Sequence, residues 1–238
     1  MDHNDERGSM DHTARSKGDA GFSLLELLIA MSLTIAMLGI AATALTTGYR
    51  IREREESVTD AVADAQRALN IMSREIANSG FNLSTNGIVA GDSDSTSIRI
   101  RSNLNKYDFS LEETNPSRNN VMDPGEDLKY FINVANNTDY LVRHDEFATG
   151  RKTTVLANRM DSLRVHYFAQ KVTYTTADCD ITSPSAGEVS PDEARYVVIA
   201  LCVRIAAAGV PNTAGYQPAS NVLLVSDVTL RNSDLIHY

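Results

Sequence analysis

The sequence predicts an α+β protein in which a long N-terminal helix, apolar in its first half and amphipathic in its second, packs on an antiparallel β-sheet head. Three observations carry this. From Leu27 to Gly48 no residue is charged, and Glu26 is the one ionisable side chain between residues 21 and 48. Further on, Val58, Val62, Ala65, Leu69, Met72 and Ile76 recur at steps of four and three residues, the spacing of one helix face. After residue 80 the pattern changes to alternation, as in Ser97–Arg101 and again around residues 195–205. With 238 residues, 42% of them hydrophobic, the chain can bury one real core besides the helix.

Residues 1–21 read as a polar leader that is removed, and residues 22–50 as a helix that spans a membrane, because an uncharged run of this length matches the hydrocarbon thickness of a bilayer. Gly39, Ala41, Ala42 and Ala44 allow close helix approach within it. The stretch 50–56, RIREREE, marks the exit into water. Residues 51–80 form the amphipathic half, with Asp60, Asp64, Arg67 and Arg74 opposite the apolar stripe and Gly80 as a helix stop. Helix 22–79 would run on the order of 85 Å. Arg15 and Lys17 ahead of the run are balanced by Arg50, Arg52 and Arg54 behind it, so charge alone does not orient the span.

Residues 81–238 form the β-rich head. A loop over 81–94, rich in Asn, Ser, Gly and Asp, leads into a strand at 97–101 whose Ile98 and Ile100 share a side. Residues 128–134 and 140–144 make a hairpin around Asn136, Asn137 and Thr138. Leu163, Val165 and Tyr167 align on a strand at 162–168, with Arg164, His166 and Phe168 opposite. The most apolar strand, 195–205, sets Val197, Ile199, Leu201, Val203 and Ile205 on one face and Val198, Ala200 and Cys202 with Arg204 on the other. A last strand covers 222–231, before a short tail at 235–238. These strands are expected to form one sheet with the amphipathic half-helix on one face.

Gly21, Phe22, Ser23, Leu24, Leu25 and Glu26, followed by the uncharged run, together resemble the processing site of type IV prepilins: a Gly, then Phe, then Glu five places after the Gly. That resemblance implies the type IV pilin fold. It implies cleavage after Gly21 by an inner-membrane prepilin peptidase, which also methylates the new amine of Phe22. It further implies that Glu26 acts in assembly, pairing with the free amine of a neighbouring subunit, since two opposite charges in low dielectric offset each other's burial cost. The order of the segments MSREIANSGF at 72–81, VLANRMDSLRVHYF at 155–168, YVVIALCVRI at 196–205 and VTLRN at 228–232 is similar to PilW-type minor pilins and to the related J-type pseudopilins of type II secretion. The partners implied are the peptidase, other minor and major pilins through helix packing, and the bacterial inner membrane before assembly. The N-terminus would be cytoplasmic, and the head periplasmic and then at the cell surface. A surface-binding module at a pilus tip, using loops 112–126 and 179–194, is the alternative.

The formal charge is -9, and removing Asp2, Asp5, Glu6, Asp11, Asp19, Arg7, Arg15 and Lys17 with the leader leaves about -7, which argues against nucleic acid as a partner. No cofactor is required, and calcium is the one ion a segment of the chain suggests. Residues 115–126 place Asn115, Ser117, Asn119, the Val121 carbonyl, Asp123 and Glu126 at the oxygen-ligand positions of an EF-hand-type loop, with Asn where that loop has its first Asp and its Gly. The reading set against it, and preferred, is a polar hairpin loop turning at Pro124-Gly125. Cys179 and Cys202 are either a disulfide stapling the 180–194 excursion, as the disulfide-closed loops of many pilins imply, or two thiols with Cys202 buried. The motifs G-x-S-x-G, H-E-x-x-H, P-loop and G-x-G-x-x-G do not occur, so the sequence offers no support for catalysis. His144, Asp145 and Glu146 read as a solvated strand end, and His166 as structural.

Overall fold

The computed structural model describes residues 21–105, 122–135, 138–213 and 215–232. The leader up to residue 20, the turn residues Asn136 and Asn137, and the tail at 235–238 lie outside the described residues. The chain divides into two compact units, Met1–Thr47 and Gly48–Tyr238.

Helix α1 runs over Leu24–Ala77, 54 residues. Ser23 starts it: its hydroxyl accepts the Leu25 N–H at 3.2 Å and its carbonyl accepts the Leu27 N–H at 3.1 Å, an N-cap. It stops where Asn78 and Ser79 bond back to Glu75 and Ile76 in a tightened last turn and Gly80 takes φ 77°. Gly80 donates to the Arg101 carbonyl, and the Gly87 carbonyl accepts from Arg101. The two glycines sit back to back at this crossing, where a Cβ on Gly87 would strike the Gly80 nitrogen and the Arg101 oxygen.

In the first unit the apolar side chains of α1 are exposed among the described residues, as at Leu28, Ile35 and Leu38. This part is long and apolar enough to cross a membrane. In the second unit the helix buries Ala61, Ala65, Ala68, Leu69, Met72 and Ile76. The expected stripe is therefore present from Ala65 onward, while Val58 and Val62 are only half-buried and Ala61 and Ala68 complete it.

Among the described residues nine strands follow: β1 (Ser97–Arg101), β2 (Asp127–Ala135), β3 (Thr138–Asp145), β4 (Thr153–Asn158), β5 (Met160–Phe168), β6 (Thr175–Ala177), β7 (Asp180–Thr182), β8 (Tyr196–Ile205) and β9 (Ser220–Thr229). The single expected sheet is instead two, ordered β1-β2-β3-β4 and β5-β8-β9, with β6 and β7 as a two-stranded ribbon. All pairings are antiparallel. The division falls at Arg159, whose φ of 59° puts a non-glycine residue in the left-handed region and turns the chain out of one sheet into the other. Its guanidinium donates to the carbonyl and hydroxyl of Ser57 on α1, and its own carbonyl accepts from Arg204 at 2.8 Å.

One core serves both sheets. The stripe of α1 meets Ile98, Ile100, Leu128, Tyr130 and Leu141 from the first sheet, and Leu163, Val165, Val197, Ile199, Leu201 and Val203 from the second. The assigned faces of β8 are as the alternation requires, for Val198 packs on the other side with Phe168, Val172, Ile181 and Tyr196. Glu75 of α1 ties the helix to the first sheet, accepting from the Tyr130 hydroxyl and from Arg143 Nε at 3.0 Å. Of the three residues at the end of β3, Glu146 is exposed and His144 half-buried, but Asp145 is not solvated: it is buried and accepts from the Gly125 and Phe147 backbone N–H groups.

Asp127, its side chain 1% exposed, is held by Arg99 Nε at 2.7 Å and Arg101 Nε at 2.8 Å, and Arg99 also binds Asp92 at 2.6 Å. Burial opposes ionisation of Asp127, but the two guanidiniums outweigh it and hold its carboxyl below the usual carboxylate range. Arg99 likewise lowers Asp92. A depressed folded-state value contributes stability above the unfolded value of about 3.9 and loses it as pH falls through the folded one. Urea unfolding of the full chain in detergent, followed by circular dichroism, is expected to show stability falling as pH drops below about 4. Asp127→Asn removes part of that slope and costs about 3 kcal/mol at neutral pH, because it leaves guanidinium charge behind at a buried site.

Candidate functional site

The residues singled out at the N-terminal end come together simply because they are close in sequence. Gly21 and Phe22 precede α1, with nothing within 4 Å of a Cβ placed on Gly21 and Phe22 83% exposed. Glu26 lies in the first turn, at the third helical position after the Ser23 cap. Ser-x-x-Glu ahead of an apolar run is also the sequence of a capping box, a signal the prepilin spacing overlies and hides. The helix dipole favours a carboxylate there by about 0.3–1 kcal/mol, against roughly 2.5–3.5 kcal/mol for an acid at the bilayer centre. Local capping therefore accounts for part of the tolerance of Glu26 and leaves room for an opposite charge. Among the described residues Glu26 has no ion-pair partner.

Hydroxyl groups inside the uncharged run are satisfied without leaving the helix. Ser32, Thr34, Thr43 and Thr46 each donate to a backbone carbonyl three or four residues earlier at 2.8 Å, and Thr47 does so at 3.0 Å. This is the form a polar side chain takes when no water is at hand.

Four of the six calcium-loop positions, Asn115, Ser117, Asn119 and Val121, lie outside the described residues. The other two are engaged within the protein. Glu126 is 2% exposed; its Oε1 accepts the Leu104 N–H at 2.6 Å and its Oε2 the Asp123 N–H at 2.9 Å. Asp123 accepts from the Asn105 side-chain amide. A carboxylate that accepts backbone amides caps a turn, the work described for Pro124-Gly125 in the hairpin reading.

Cys179 and Cys202 form a disulfide, with Cα atoms 5.5 Å apart. Cys179 occupies the turn between β6 and β7 at φ 64°, so the bond pins the tip of that ribbon to the middle of β8. Asp161 lies close to both sulfurs, but with the sulfurs joined the group is no metal set, and Asp161 accepts from Arg204 at 2.6 Å and 3.0 Å instead.

The same ribbon is held at a second point. His166 on β5 lies between Asp180 of β7, 2.7 Å from Nε2, and Glu188, 2.7 Å from Nδ1. Both ring nitrogens can donate only in the imidazolium form, so the cluster is a two-armed clamp when protonated. It was not legible in the sequence, since its acids stand 14 and 22 residues from the histidine.

Closing a loop of 23 residues with a disulfide is worth about 3 kcal/mol in the chain-entropy account. Cys179→Ala is expected to lower unfolding stability by that order in urea titrations of the oxidised full chain. The loss should match that caused by adding reductant to the unsubstituted protein.

Set beside known proteins, the chain matches no protein-family model, no curated protein and no solved structure.

Proposed function

We propose that this chain is a minor subunit of a type IV pilus, made as a prepilin, cleaved between Gly21 and Phe22 and methylated on the Phe22 amine. One observation carries the reading: Gly21, Phe22 and Glu26 stand at the head of a helix whose next 22 residues are uncharged, and the same helix goes on to bury a stripe in an α+β head. Packing of such helices from many copies would cover the side chains that the single chain leaves bare, and the head would face outward. In that arrangement the Glu26 carboxylate meets the amine of a neighbour, so a subunit in the wrong register leaves a charge unpaired. The chain is a substrate of the prepilin peptidase and not itself an enzyme, with the bacterial inner membrane as its first location and the pilus as its last. As a minor subunit it primes assembly or caps the tip.

Two measurements test this. Mass spectrometry of the protein recovered from its host is expected to show a chain beginning at N-methylated Phe22; a chain that keeps Met1 overturns the reading. Glu26→Gln keeps a side chain that serves a capping box but loses the charge. Its incorporation into filaments is expected to fall at least about tenfold, because the buried amine of the neighbouring subunit is left without its counter-charge. Incorporation unchanged by Glu26→Gln would leave Glu26 as a helix cap only.

A further inference from the structure

Among the described residues, Asp161, Cys179 and Cys202 stand together as metal-ligating types: both sulfurs and a carboxylate oxygen of Asp161 lie within 4.8 Å of one another. While the sulfurs are bonded to each other they hold no metal, because the ligand form of cysteine is the thiolate. Reduction completes the set.

Three features fit the reduced set to a metal. Asp161 stands at a bulge in β5, where Met160 pairs with Val203 and Ser162 with Cys202, so Asp161 is the extra residue and lies beside Cys202. Both bonds that Arg204 donates to Asp161 end on Oδ1, at 3.0 Å and 2.6 Å; Oδ2 has no partner among the described residues. An open cavity of about 560 Å³ adjoins the group, lined by Asp161, Thr176, Asp178, Cys179 and Asn221, and it gives solvent a way to the half-buried Cys179.

The change of state needs little motion. In a tetrahedral site with Zn–S of about 2.3 Å and Zn–O of about 2.0 Å, the sulfurs stand about 3.8 Å apart and each about 3.5 Å from the oxygen. Strand β8 is fixed, buried on both faces and paired along both edges. The ribbon can give, since each of its strands has three residues and Cys179 lies at its turn. His166, 2.7 Å from Asp180 of β7, keeps the ribbon near when the sulfurs separate. Charge is balanced too: two thiolates and a carboxylate leave a zinc site with one negative charge in excess, and the Arg204 guanidinium beside Asp161 offsets it.

We propose that reduction converts the Cys179–Cys202 disulfide into a zinc site, with both thiolates and the Asp161 carboxylate as ligands and a water in the fourth position toward the cavity. A dithiol supplies two electrons and leaves as its own disulfide. The S–S bond breaks, both sulfurs become thiols, and their two protons depart as zinc binds. Two sulfurs, one oxygen and an open position suit zinc, whereas calcium and magnesium take oxygen ligands. The covalent staple on the ribbon is thereby exchanged for a metal one, and the tip stays against β8 in reducing surroundings.

Cobalt(II) reports such a site, since thiolate ligation gives an ultraviolet charge-transfer band and tetrahedral geometry gives strong visible bands. The full chain in detergent is reduced with a phosphine and titrated with Co2+ in the absence of air. One Co2+ per chain with both sets of bands is expected after reduction, and none for the oxidised chain. One equivalent of Zn2+ is expected to erase the visible bands. Asp161→Asn keeps both cysteines and is expected to bind Co2+ at least about tenfold more weakly after reduction. Zinc should raise the urea midpoint of the reduced chain and leave that of the oxidised chain where it was. A reduced chain without the charge-transfer band overturns the proposal, as does a cobalt affinity that Asp161→Asn leaves unchanged. One metal per two chains, held by four thiolates, assigns the metal to a contact between copies and overturns it as well.

Discussion

Apolar surface must find something other than water to lie against, and α1 meets that demand differently at its two ends. Residues from Ala61 to Ile76 find it inside the protein, against two sheets. The residues from Leu24 to Thr47 find nothing of the kind among the described residues. The sheets owe their arrangement to the first of these: the alternating faces of β1, β2, β3, β5, β8 and β9 are apolar where they meet the helix, and the ion pairs of Glu75 and the hydrogen bonds of Arg159 fasten the edges of that contact. Any account of what the protein does begins from the second.

Polar groups in the head are placed to serve this packing. Asp127 gathers Arg99 and Arg101 on the outer edge of the first sheet, Glu126 closes a turn beside it, and Asp145 closes the next. Each buried carboxylate has its donors, as burial requires. The ribbon β6-β7 is the exception to the single core: with three residues per strand it has little surface of its own to bury. A disulfide, the His166 clamp and the small cluster around Phe168 and Val198 hold it in place instead.

The parts legible in the sequence were those written in short range. Ser97–Arg101 alternates cleanly, β8 is apolar on both faces, and the helix stripe keeps its period from Ala65 to Ile76, so these elements stand where the pattern puts them. Strand β4 was missed because Val155, Leu156 and Ala157 are consecutive, and only Ala157 is fully buried at a bulged edge. Strands β6 and β7 are not legible because three residues each are too few to show alternation. The division into two sheets falls at Arg159, whose left-handed backbone angle its residue type does not announce. Likewise Gly21, Phe22 and Glu26 are readable as local spacing, whereas the partners of His166 and Arg54 arrive from distant strands and loops.

Cys202 has no exposed surface at all, and the ribbon tip that carries its partner is what covers that side of β8. Cys179, by contrast, is only half-buried, so a thiol in solution meets the bond at its ribbon end. Reduction there would release the tip of the ribbon while β8 stays paired along both edges, with β5 and with β9.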